Sequence, residues 1–271
     1  MERLIVVLKG IGIAVLFAAS VVLLKKLLIE PVFSRIFRGN LSKILQAATS
    51  IIIQLILFYV LSRFLIRLEF FGDAPVVNLL KGSGMAATIL FLAVIFLAVM
   101  KVMTLNAPKS LDASGFLERF LTAVVFFLVL ALFEEIAFRG ILYTVLRNTF
   151  TAPVTIGITT VAFLLLHLGN GSIGVFAILS IALGGLVLNL MREFSNGIWM
   201  PLGFHFAWNL LQGSAGFNVS GDNEIEPLLN VRLHGPKILT GGRFGLEASI
   251  ITITLLVILA LLLIRWQQAL K

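Results

Sequence analysis

The sequence predicts an all-α, polytopic membrane protein of about eight transmembrane helices, forming a single domain over residues 1–271. Three observations predict it. The chain is 59% hydrophobic and 13% charged, with mean hydropathy +1.08, which is more apolar surface than a soluble domain of this length can bury. Apolar runs recur at the length a bilayer crossing requires. Basic residues gather between those runs, as at Lys25, Lys26, Arg35, Arg38 and Lys43. A net charge of +8 arranged this way reads as a topology signal in contact with anionic headgroups. It implies membrane lipids as partners and no nucleic acid, since no nucleic-acid module is visible. The absence of cysteine excludes disulfides, thiolate catalysis and cysteine-ligated metal.

In chain order, the expected spans are Leu4–Leu24, Ile44–Leu65, Met85–Leu105, Leu117–Leu146, Ala152–Leu168, Ile173–Met191, Ile198–Gly213 and Ala248–Ile264. The first is a retained helix rather than a cleaved signal peptide, because its apolar run is long and Lys25 and Lys26 follow it directly. The fourth is long enough to begin as an interfacial helix at GFLERF. The fifth and seventh are short, which suits helices buried among others. Residues Ser214 to Glu247, rich in Gly, Asn and Pro, read as a loop that is either a lid over a site or a connector. No internal repeat is visible, and the intramembrane polar residues fall in spans four to seven. That weighs against an inverted-repeat transporter.

The stretch FEEIAFRG, Phe133 to Gly140, breaks the apolar pattern with three ionisable groups inside a span. A charge at a helix centre in lipid costs about 2.5–3.5 kcal/mol on insertion scales, so each needs a partner or a cavity. Glu135 and Arg139 are spaced i, i+4 in the favourable order and share a helix face. Glu134 points about 100° away round an ideal helix and is the carboxylate left over. FLLLHLGN places His167 near the end of span five, with Phe163 one turn earlier on the same face. PLGFHFAWNL places His205 and Asn209 one turn apart in span seven, after a Pro201 suited to a first helical turn. Alone, a histidine or a polar pair in a helix is commonly a packing residue or interhelical glue. Together they are a carboxylate, two imidazoles and a carboxamide around a polar intramembrane cavity formed by helices 4, 5 and 7. His234, the third histidine, lies in the long loop and reads as solvated. Glu134, His167 and His205 could hold a divalent metal. The same set could activate water directly, with an oxyanion held by histidine and asparagine. Either route hydrolyses an acyl bond, most plausibly a peptide.

EEIAFR matches the pattern EExxxR, FLLLH matches FxxxH, and HFAWN matches HxxxN. In this order on three membrane helices, the motifs resemble those of the CPBP family, which comprises the type II CAAX prenyl endopeptidases and the bacteriocin-processing and immunity proteins. The resemblance covers Phe133 to Asn209 and implies an intramembrane endopeptidase with a catalytic core at about 117–213. It implies Glu134 as general base with His167 assisting, and His205 with Asn209 holding the oxyanion. Glu135 and Arg139 become a structural pair that fixes Glu134, and Phe163 packs beside His167. The cofactor is left open: a divalent metal such as zinc on Glu134, His167 and His205, or none. The implied substrate is a lipidated, possibly prenylated, or membrane-tethered peptide. The implied location is a multi-pass membrane protein, in the plasma membrane if prokaryotic. No HExxH, GxSG or GxGD pattern supports another class of membrane protease. The competing functions are a non-catalytic membrane adaptor or immunity protein and, with less support, a proton-coupled transporter.

Overall fold

A computed structural model describes residues 2–36, 39–64, 72–106, 113–222 and 225–269. The fold is all-α apart from one two-stranded ribbon among those residues. Helix α1 (Glu2–Leu24) continues through a π-turn (Lys25–Ile29) into α2 (Glu30–Ile36). Lys25 and Lys26 therefore lie in helix rather than in a loop, and Arg38 lies outside the described residues. Helix α3 spans Gly39–Phe64, α4 spans Pro75–Val99, and strand β1 follows at Met103–Asn106. Helix α5 (Ala113–Glu135) passes through a second π-turn (Ile136–Leu142) into α6 (Tyr143–Arg147). Then come α7 (Ala152–His167), α8 (Val175–Ser195), α9 (Trp199–Ala215), strand β2 (Asn230–Leu233), the single turn α10 (Lys237–Thr240) and α11 (Ile250–Ala269).

Five of the described helical segments are long and apolar enough to cross a membrane: Glu2–Phe33, Pro75–Val99, Ser114–Arg147, Val175–Ser195 and Ile250–Ala269. Ala48–Val60 and Ala152–His167 are shorter apolar stretches. This is an integral, multi-pass membrane protein.

The third expected span is displaced. It begins ten residues earlier than Met85, because Pro75 starts α4 and polar Lys81 to Ser83 do not interrupt it. It ends at Val99, where Lys101 takes a left-handed backbone (φ 57°) and the chain turns into β1. β1 pairs antiparallel with β2, Met103 opposite Leu233 and Asn106 opposite Asn230. The polar stretch from Ser214 to Glu247 is thus partly ordered as strand and helix. Its His234 is exposed, as expected, with Nε2 on the Lys101 carbonyl.

Helix α9 is the centre of the bundle, packed on α4, α5 and α8. Its approach to α4 is set by glycine. A Cβ on Gly82 would collide with the Met200 carbonyl, and one on Gly203 with the Leu79 carbonyl. Small residues that let two backbones meet substitute for the hydrophobic drive that lipid does not supply. α9 is mostly buried, as its shortness suggested, whereas α7 exposes Val161, Leu165 and Leu166.

Candidate active site

The EExxxR segment straddles the junction of α5 and the π-turn. Glu135 is the last residue of α5, and the π-turn carries Arg139. A π-turn widens the helix locally and occurs often at functional sites. Here it coincides with a fully buried ion pair: Arg139 Nη1 donates to Glu135 Oε1 at 3.0 Å, with both side chains 0% exposed. The other two guanidinium nitrogens also donate, Nε to Asn189 Oδ1 at 3.2 Å and Nη2 to the Gly185 carbonyl at 3.3 Å. The guanidinium lies over the Phe163 ring, 4.5 Å from its centroid. Inside the turn, the Arg139 carbonyl accepts from Arg192 Nε at 3.2 Å.

Glu135 Oε1 has a second partner, His205 Nδ1 on α9, at 2.8 Å. The buried pair therefore grips the HxxxN helix directly, a link that spacing within one helix could not reveal. On α7, His167 Nδ1 lies 2.8 Å from the Phe163 carbonyl. A carbonyl only accepts, so His167 carries a proton on Nδ1. The Phe163 ring lies 4.4 Å from the His167 ring, tilted by 41°, and so packs against both that imidazole and Arg139.

With both Nδ1 atoms engaged, both Nε2 atoms turn toward Glu134. His167 Nε2 is 3.6 Å and His205 Nε2 3.9 Å from Glu134 Oε2. That oxygen accepts no hydrogen bond from the described residues. Glu134, His167, His205 and Asn209 border one cavity of about 270 Å³. The expected site residues are thus brought together in two layers. Glu134, His167, His205 and Asn209 face the cavity, while Glu135 and Arg139 stand behind His205, and Phe163 joins the layers.

By type, Glu134, His167 and His205 are donors that zinc accepts. Among the described residues, however, no group of three His, Asp or Glu is arranged to hold a metal ion.

The cavity also has walls beyond the three motif-bearing helices α5, α7 and α9. Helix α8 adds Ser180 and Gly184, and the chain after α9 adds Val219, Ser220 and Asp222. Asn189 and Glu247 are buried polar residues that were not read from the sequence as part of the site. Asn189 holds Arg139 and also donates to Thr160 Oγ1 at 3.0 Å. Glu247 borders the cavity from the entry to α11. The signal for Asn189 was present: it is a lone carboxamide in the apolar run GGLVLNLM.

The fold and site define a class, an all-α multi-pass membrane protein with a buried carboxylate and two imidazoles converging on one cavity. Residues 116–211 match the family model described as type II CAAX prenyl endopeptidase Rce1-like, which supports assignment to the CPBP family. That is a protease family, so the match supports an intramembrane protease in general. An Escherichia coli protein described only as an uncharacterized 24.3 kDa protein is 26% identical over 162 residues, covering 55% of this chain and 72% of its own. No solved structure matches.

Proposed function

We propose that this protein is a CAAX-protease-type (CPBP) intramembrane endopeptidase that hydrolyses a peptide bond in a lipidated or membrane-tethered substrate, using water activated by Glu134. The observation that carries the reading is the convergence of Glu134 Oε2 with the two Nε2 atoms at 3.6 and 3.9 Å on one cavity wall. A hydrolase needs a base, a polar pocket for water and donors for the oxyanion, and this wall offers all three.

Glu134 takes a proton from the attacking water as oxygen bonds to the scissile carbonyl carbon. His167, held by the Phe163 carbonyl, orients that water through Nε2. The carbonyl becomes an oxyanion, which accepts from the Asn209 amide and from His205 Nε2 when that nitrogen is protonated. Collapse breaks the C–N bond, and Glu134 returns the proton to the leaving amine. Atoms balance with water as the only co-reactant. Glu135 and Arg139 act earlier, by fixing the His205 ring. The apolar wall contributed by Phe126, Phe127 and Leu130 suits a substrate that arrives through the bilayer.

The test is cleavage of a quenched prenylated CAAX-type peptide by detergent-purified protein, beside the same peptide without lipid and a membrane-tethered peptide. Faster cleavage of a lipidated or tethered peptide than of the free one is expected. No cleavage of any by folded protein would favour the non-catalytic adaptor.

A further inference from the structure

We propose that Glu247 is a positioning residue for this hydrolysis, setting α9 and the turn at 216–222 against the cavity; the inference rests on the peptidase reading above. Glu247 lies in the short 3₁₀ turn Leu246–Ala248 that leads into α11, far in sequence from the three motifs. Its carboxylate is buried, the residue being 6% exposed, yet among the described residues no lysine or arginine pairs with it. Oε1 accepts from Trp208 Nε1 at 2.8 Å and Gln212 Nε2 at 3.0 Å. Oε2 accepts from the Ser220 amide at 2.9 Å and the Ser220 hydroxyl at 3.4 Å.

Trp208 and Gln212 are one turn apart on α9 and bracket Asn209, with His205 one turn before Trp208. One carboxylate oxygen therefore fixes the rotation of the helix turn that presents the carboxamide. The other oxygen holds Ser220, which sits in a left-handed conformation at φ 52° that a non-glycine residue adopts only when held there. The Ser220 carbonyl accepts from Asn170 Nδ2 at 3.0 Å, three residues after His167. Beside it, Gly221 (φ 93°) meets the Gly171 carbonyl so closely that no Cβ fits. The turn thus joins the end of α7 to α9, the two helices that carry the imidazoles. Glu247, Ser220, Asn170 and Asn209 all border the cavity that Glu134 enters.

The four donors ask for two acceptor oxygens. A glutamine at 247 keeps the volume and supplies one. Its NH₂ would face either the Ser220 amide or both the Trp208 and Gln212 donors. Glu247→Gln therefore perturbs alignment without opening a hole.

The experiment uses the full chain in detergent, comparing wild type, Glu247→Gln, Gln212→Met and Glu134→Gln on one cleavable peptide. It measures kcat, KM, the unfolding midpoint and Trp208 emission in a Trp199→Phe, Trp266→Phe background. Misplacement of a reacting group by a fraction of an ångström predicts that Glu247→Gln lowers kcat by roughly 10- to 100-fold with KM within about threefold. The unfolding midpoint should stay near wild type, and Trp208 emission should shift. Gln212→Met removes one of the four donors and should lower kcat in the same direction by less, which preserves the test if Glu247→Gln does not fold. Wild-type kcat in folded Glu247→Gln, or a loss accounted for by fewer folded molecules, overturns the positioning role while leaving the peptidase standing. Wild type no faster than Glu134→Gln overturns the peptidase reading itself, and the positioning role with it.

Discussion

Replacing Arg139 with methionine keeps the aliphatic part of the side chain and removes the guanidinium, with its charge, from a fully buried position. The structure sets the size of the effect. Arg139 donates to Glu135 Oε1, Asn189 Oδ1 and the Gly185 carbonyl, all within 3.3 Å. Stripping one partner from a buried ion pair costs about 3–5 kcal/mol, because the remaining charge is left without compensation. Two further buried acceptors lose a donor, at about 1–3 kcal/mol each when measured singly. These losses share one network and do not add. His205 Nδ1 still donates to Glu135, which holds the total near about 3–5 kcal/mol. The assay is reversible unfolding of the purified protein in mixed micelles, by SDS titration with circular dichroism. A second variant, Arg139→Met with Glu135→Gln, removes the stranded charge and should recover about 1–3 kcal/mol. Arg139→Met within about 1 kcal/mol of wild type, or strict additivity in the double variant, would refute the reasoning that the pair is held by mutual burial.

Asn189→Leu removes the acceptor for Arg139 Nε and the donor to Thr160 Oγ1, and should cost about 1–3 kcal/mol in the same titration. It should also slow peptide cleavage, since the Arg139–Glu135–His205 chain loses its outer anchor. Gly203→Val drives a side chain into the Leu79 carbonyl and should exceed the usual overpacking cost of about 1–3 kcal/mol, read as loss of folded, monodisperse protein on gel filtration. Exhaustive dialysis against a zinc chelator should leave the cleavage rate unchanged, because Glu134, His167 and His205 act on water in this account. A loss reversed by added zinc would instead assign those three as ligands.

The spans and the polar core were legible for different reasons. Long apolar runs have a single solution in a bilayer, so α1, α8 and α11 lie close to where hydropathy put them. The motif residues were legible because Glu134, His167 and His205 are too costly in lipid to be incidental. The π-turn over Ile136–Leu142 was not, since no proline or glycine pair announces it. It is supported by contacts from other helices, such as Arg192 on the Arg139 carbonyl. The start of α4 was missed because polar Lys81 and Ser83 precede the apolar run that begins at Met85, whereas Gly82 is a contact point with α9. Glu247 read only as the last residue of the polar loop because its donors, Trp208, Gln212 and Ser220, come from elsewhere in the chain. Sequence periodicity reports faces of one helix, and each missed feature depends on a second element.

The most direct measurement of the central claim is the turnover of wild type against Glu134→Gln on a single membrane-tethered peptide, at equal amounts of folded protein. Glutamine keeps the shape of the side chain beside His167 and His205 and cannot take a proton from water. The account predicts a fall of at least about 10²-fold in kcat, the scale of a lost general base, with the unfolding midpoint preserved. Turnover within a few-fold of wild type would contradict it and would move the search for the reacting group elsewhere in the cavity.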